Sequence, residues 1–229
     1  PSRSVMSATA TRPFRLLMVA HGHPALSRGG GEHAAYALHR HFQRQHGVES
    51  LFLAAASDED LACGDSIRSL DDGQGGRDLL IRRSGCHFFH PTAADLSDGA
   101  ELARLIQQWQ PDVVHLHHFF RVGLDLITAL RHWLPSSRLV LTLHEFLSIC
   151  PYYGQLRRRN GLPCEGPSIH SCQQCLPERS AADLLLRDQL IRLALARLDH
   201  LISPSHYLAR RLQLQGIGQP EFMGTMPMP

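Results

Sequence analysis

FRLLMVAHGHPALSRGGGEHAAYALHRHF, residues 14–42, changes its apolar period partway along, and that change decides the fold. Phe14–Ala20 is a short apolar run with a loop behind it, the pattern of a strand buried on both faces of a parallel sheet. Beyond the glycines Ala35, Leu38 and Phe42 recur at helical spacing, and Gly47 supplies a C-terminal stop. The intervening HGHPALSRGG is therefore a loop at the carboxyl end of a strand. It delivers its glycines to a helix N-terminus, where unpaired N–H groups face an anion. Two readings stand for these glycines: close backbone contact with a ligand, or a flexible turn that only lets strand and helix pack.

The same alternation continues outward. VESLFLAA (48–55) reads as a second strand, residues 57–76 as a loop rich in Asp, Ser and Gly, and LLIRR with CHFFH (79–90) as a third strand. ELARLIQQWQ (101–110) is helical and stops before Pro111; DVVHLHH (112–118) is the plainest strand of all. LDLITALRHWL is a helix ending at Pro135, RLVLTLH (138–144) a strand, and residues 180–199 a long helix. That helix carries Asp183–Arg187 and Asp188–Arg192 at i,i+4 beside a broad leucine face. HLISPS (200–205) is a last strand before a helix capped by Ser205 and stopped by Gly216. Strand and helix in strict succession predict an α/β fold, a Rossmann-like doubly wound parallel sheet in a single domain over 13–219. Residues 1–12 read as a disordered leader or cloning remnant, 145–178 as a cysteine-rich insertion, and 220–229 as the start of an interdomain linker.

With 43% apolar and 19% charged residues, the 229-residue chain can bury a substantial core. A net charge of +2 gives no ground for nucleic acid as a partner. All 23 basic side chains are arginine, which excludes both a Schiff-base lysine and the lysine of a phosphate-binding P-loop. No apolar run reaches the length of a membrane span and no secretory signal opens the chain, so the expected location is the cytoplasm.

Four motifs, in order, resemble one family. Gly29-Gly30-Gly31-Glu32 is similar to the G-G-x-E turn of the GT-B, family 4 (group 1) retaining glycosyltransferases, and DVVHLHH (112–118) is similar to their fourth-strand motif. LTLHE (141–145) resembles the T-x-H-D end of the next strand, with Glu145 where Asp is commoner, and LISPSHYLARRL (201–212) resembles the S-x-S-x-x-L-A segment closing their first domain. The resemblance covers roughly residues 14–218 and only the N-terminal half of such enzymes.

It implies an acceptor-binding N-terminal domain that depends on its own C-terminal domain for most of the nucleotide-sugar, and is inactive without it. It implies His144 at the donor sugar near the reacting carbon, Gly29, Gly30 and Gly31 against the donor diphosphate, and no metal for the chemistry. Glu32, His117, His118, Glu145, Arg157 and Arg158 are assigned to the acceptor side of the cleft. Open α/β sheets bind ligands at the carboxyl ends of their strands, which is where His117, His118 and His144 fall. His115 reads as a hydrogen-bonded core residue; His39, His41 and His46 read as solvated.

Cys172-x-x-Cys175 is half of a zinc knuckle that Cys150 and Cys164 would complete as a structural site, with His170 a substitute ligand. Disulfides and free thiols are the alternatives, and in a cytoplasmic chain metal or free thiol is favoured. Arg157 and Arg158, with Arg159, suit a phosphorylated or lipid-linked acceptor or peripheral contact with an anionic membrane face. Two other functions remain open: a stand-alone saccharide-binding or regulatory module, and a zinc-dependent sugar deacetylase-like hydrolase suggested by HGHP (21–24). Against the latter, Ala25 and Leu26 stand where a carboxylate would be needed.

Overall fold

The computed structural model describes residues 12–27, 29–63, 65–70, 78–83, 87–91, 99–218 and 223–225. The leader and most of the linker named above lie outside them. Within them the alternation of periods becomes a sheet of eight strands: β1 (Phe14–Ala20), β2 (Val48–Ala56), β3 (Ile67–Leu70), β4 (Asp78–Arg82), β5 (Val113–His117), β6 (Arg138–Thr142), β7 (His200–Ser203) and β8 (Met223–Thr225). Six helices connect them: α1 (Gly30–Gln43), α2 (Gly99–Trp109), α3 (Leu124–Trp133), α4 (Ile169–Cys175), α5 (Ala181–Leu195) and α6 (His206–Leu214). The strand order is β3-β4-β2-β1-β5-β6-β7-β8, and every pairing is parallel except β3 with β4.

Central β1 explains the architecture. Leu17 and Val19 join one apolar cluster with residues of α2, α3, α5 and α6, while Leu16, Met18 and Ala20 join another beneath α1. Each fully buried large side chain of this kind contributes about 2 kcal/mol relative to exposure. Chain direction accounts for the division of helices. The crossover from β1 to β2 runs one way along the sheet and those from β4 through β7 run the other, so right-handed connections place α1 alone on its face. The strand order therefore reverses between β1 and β5, which is where an open sheet of this type leaves a ligand crevice.

Several expectations are corrected. Residues 67–70, read as loop, pair antiparallel with β4; Ile67 opposite Ile81 gives that short edge strand its apolar contact. Phe88, Phe89 and His90 form a bend instead of continuing the third strand, because the His87 ring accepts from the Phe89 N–H at 3.1 Å and turns the chain. Asp188–Arg192 is an ion pair at 2.7 Å, but Asp183–Arg187 is not: Asp183 completes a capping box with Ser180, and Arg187 is buried with its guanidinium on the Leu147 carbonyl. Ser205 caps α6 as expected, accepting from Leu208 N–H at 3.2 Å. Met223–Thr225 adds a strand inside the segment read as linker. Among the described residues no helix is long and apolar enough to cross a membrane.

His39 is not solvated. It is fully buried, with Nδ1 2.8 Å from the Ser50 hydroxyl and Nε2 3.1 Å from Asp78 Oδ1. Asp78, also fully buried, takes the Tyr36 hydroxyl at 3.0 Å and His23 Nε2 at 3.3 Å on its other oxygen. Burial works against the charged carboxylate, yet His23, His39 and Tyr36 together hold its pKa far below the usual range. One carboxylate thus ties the loop after β1 to α1, β2 and β4. Asp78→Ala strands these partners in an apolar surround and is expected to cost about 3 kcal/mol. Urea unfolding of the variant checks this, and a midpoint equal to wild type would show that the network is not needed for stability.

Candidate functional site

At the β1–β5 reversal the carboxyl ends of three strands bring their following residues together. β1 leads into His21, β5 ends in His117 and leads into His118, and β6 leads into His144 and Glu145. The parallel register sets Met18 beside His115 and Ala20 beside His117, so both histidines lie on the α1 side of the sheet. His115 lies inside, with Nε2 2.8 Å from the Thr142 hydroxyl, as a core residue should. His117 is fully buried, and its Nδ1 lies 3.1 Å from His144 Nε2. One hydrogen bond joins those two nitrogens and fixes the His144 ring.

Burial is the main reason that all three imidazoles stay neutral: it lowers His115 to about 4, His117 to about 2 and His144 to about 4, with neighbouring imidazoles adding to the effect. His144 therefore enters any reaction near neutral pH as a neutral ring.

α1 begins against this cluster. Gly29 is its N-cap and no side chain caps the helix from that position. A Cβ on Gly29 would collide with the Glu32 carboxylate, and one on Gly31 would come within 3.1 Å of His21 Cε1 and 3.8 Å of His144 Cδ2. A side chain at Gly29 would displace the Glu32 carboxylate and one at Gly31 would crowd His21, whereas a Cβ on Gly30 meets nothing within 4 Å. Glu32 is buried, accepts from the Ser27 hydroxyl at 2.6 Å and stands 3.2 Å from His21 Nε2. Burial opposes its charge, but Ser27, its own backbone N–H, His21 and Arg121 outweigh this and keep it ionised. His21 is shifted down by burial first and by His118 next.

His118 has φ +81, a left-handed conformation that re-aims its ring. Its Nδ1 accepts from Phe120 N–H at 2.8 Å, so the ring proton sits on Nε2, which faces Glu145 Oε1 at 2.8 Å. The other Glu145 oxygen accepts from Leu147 N–H. Gly154, at φ +66, lacks the Cβ that would strike that carboxylate.

The expected site residues therefore divide. Gly29, Gly31, Glu32, His117, His118, His144 and Glu145 lie together at this sheet edge, with Gly30 exposed beside them. Arg157 and Arg158 sit on an exposed turn of the insertion instead, Arg157 Nε bonding the Gly161 carbonyl at 2.8 Å and Arg158 N–H the Leu162 carbonyl at 2.8 Å. Arg121, at φ +59 just past β5, is not singled out by the sequence; its charge bears on Glu32 and His21. Its left-handed backbone after β5 is a conformation that no spacing rule announces.

The structural-zinc expectation is corrected. Cys150, Cys164, Cys172 and Cys175 do line one apolar space, of about 20 Å³, but as free thiols. Among the described residues no group of three or more His, Cys, Asp or Glu is arranged to hold a metal ion. The physical reason lies in the protons. Cys150 and Cys164 direct their sulfurs at the Tyr152 and Gly166 carbonyls, at 3.3 and 3.2 Å, and burial pushes the Cys150 and Cys172 thiols up, away from thiolate. The hydrolase reading weakens for a similar reason. His23 accepts from Ala25 N–H on Nδ1 and turns Nε2 to Asp78, leaving no lone pair for a metal.

Residues 28–220 match the model of Glycosyltransferase Family 4. Among solved structures, the chain is similar to a UDP-N-acetylglucosamine 2-epimerase (TM-score 0.51, 10% identity, 93% of this chain and 46% of that one). Two others are the catalytic domain of starch synthase IV from Arabidopsis thaliana bound to ADP and acarbose (0.49, 15%, 94% and 51%) and an α,α-trehalose-phosphate synthase from Burkholderia xenovorans in complex with glucose-6-phosphate (0.46, 15%, 86% and 42%). The chain spans about half the length of these structures. No curated protein matched it.

The buried imidazoles make a pH prediction. Their folded pKa values lie below the unfolded value of about 6.5, so the unfolded chain binds more protons in between. Their contribution to stability is complete above that value and is lost as pH falls toward about 4. The urea midpoint should therefore decline from about pH 6.5 to 5, before most carboxylates titrate, and decline less in His117→Gln. A flat wild-type profile over that window would show that these imidazoles take up protons in the fold without penalty.

Proposed function

This chain belongs to glycosyltransferase family 4, and from that membership we propose that it is the acceptor-side, N-terminal domain of a retaining GT-B transferase. Such an enzyme moves a sugar from a nucleotide-sugar to a saccharide or lipid-linked acceptor. One observation carries the reading: the neutral His144 ring, held by His117, packs against the first turn of α1 at the point where the strand order reverses.

In this arrangement the backbone N–H groups of Gly30 and Gly31 face the donor diphosphate, and the helix N-terminus favours its negative charge. As the bond from the anomeric carbon to the diphosphate breaks, positive charge grows on the sugar. A neutral imidazole at that point offers a hydrogen bond without opposing the charge, which a protonated one would do. His117 acts behind it as a positioning residue. Glu32, with His21, and Glu145, with His118, give the acceptor side two carboxylates, each beside an imidazole. The remaining donor contacts belong to the enzyme's own C-terminal domain, in keeping with the chain's share of its structural relatives. The contact proposed for Arg157 and Arg158 with an anionic acceptor or membrane face rests on their exposure.

In the full-length enzyme, His144→Ala is expected to lower turnover by about 100-fold, with little change in donor affinity. Thermal unfolding of the variant should stay within a few degrees of wild type, since His144 is only partly buried. Unchanged turnover in a normally folded variant would remove His144 from the mechanism.

A further inference from the structure

Helix α5 is apolar on both its faces. Ile191, Ala194 and Leu195 bury the inner one against the sheet, as a helix of this layer must. The outer face of such a helix is ordinarily polar, as on α2, where Glu101, Arg104, Gln107 and Gln108 meet solvent. On α5 Leu185, Leu186, Leu190 and Leu193 stand outward, Leu186 57% and Leu193 61% exposed. A helix apolar all round belongs inside a larger assembly.

The outward residues keep a spacing of their own. Ala182, Leu186, Gln189, Leu193 and Ala196, all exposed, recur at intervals of four, three, four and three, the seam of a two-helix coiled coil. Asp183, Leu190 and Arg197 follow one edge of that seam at intervals of seven. The capping box fixes Asp183 in the first turn of α5, and Arg197 lies exposed just past the last. Charge along this edge therefore changes sign about Leu190, with an acid two turns before it and a base two turns after.

We propose that the outer face of α5 is a dimer interface, and that its occupant is α5 of a second copy, antiparallel about a two-fold axis at Leu190. In that pairing each Arg197 meets the other copy's Asp183, and Leu186 of one copy packs near Leu193 of the other. A parallel pairing would set Asp183 on Asp183 and Arg197 on Arg197. The two Gln189 amides come close to the axis, where each can donate to and accept from the other. A lipid surface suits this face less, because Asp183 and Asp188 would meet its phosphates, whereas helices that lie on membranes carry basic margins. α5 packs on the sheet face opposite α1, so pairing there leaves the histidine cluster at the carboxyl edge uncovered. A single helix pair buries less than the ~1,200 Å² of a standard interface, so the expected Kd is micromolar.

The test is sedimentation equilibrium of the full chain from about 1 to 200 µM at low salt. Wild type should pass from monomer to dimer across that range. Leu186→Glu and Leu193→Glu should each raise Kd about 30-fold or more. Their circular dichroism and their urea midpoints in dilute solution should match wild type, since both side chains face solvent in the single copy. Arg197→Glu and Asp183→Arg should each associate about fivefold more weakly alone, while an equimolar mixture recovers the wild-type mass, because each variant supplies the charge the other has lost. A wild type that stays monomeric, a folded Leu193→Glu that dimerises like wild type, or a mixture no heavier than its components would each overturn the proposal. So would a monomeric wild type that floats with phosphatidylglycerol vesicles and ceases to do so in Leu193→Glu, a result that assigns the face to lipid.

Discussion

The packing of β1 between β2 and β5 is the constraint on which the rest of this domain depends. Its side chains alternate between two separate cores, so neither face of the sheet can slip by a residue without exposing a row of apolar groups. That register sets Ala20 beside His117 and delivers His21 and His117 to the same level at the carboxyl edge. It also aims α1 at the edge from behind, with glycines where Cβ atoms would meet His21, His144 and Glu32.

A second, smaller constraint acts through Asp78. A buried carboxylate is stable only with partners, and here they come from the loop after β1, from α1 and, through His39 and Ser50, from β2. His23 is thereby unavailable as a ligand but serves as an anchor for the loop that carries the glycines. The histidine cluster and its support are thus built from chemically similar groups in different roles. His117 and His144 are kept neutral by burial, and His23 and His39 are held against a charge.

The insertion after β6 shows how the site's two sides are joined. Glu145 begins it, Gly154 and Tyr153 turn beneath that carboxylate, and Arg187 of α5 reaches in to the Leu147 carbonyl. The cysteines pack further along the same segment as free thiols, and the loop is held there by apolar contact and carbonyl hydrogen bonds. The sequence spacing of these cysteines is that of a zinc site. Spacing fixes how far apart thiols lie along the chain, and not whether their protons leave.

What the sequence alone determined follows from periodicity. Apolar runs after a polar residue, helical spacing after a glycine turn and serine caps gave the order of elements, the parallel sheet and the edge at which His117, His118 and His144 gather, because these signals are local. The short β3 was missed since four residues hold too little pattern. Tertiary structure alone decided which histidines share a partner: His39 and His41, two positions apart on one helix, end as a fully buried network member and an exposed residue. It alone brought Phe88, Phe120 and Tyr153 together from three separate loops, and it set the protonation of His144. Those outcomes depend on burial and on neighbours distant in the chain, which a linear pattern does not encode.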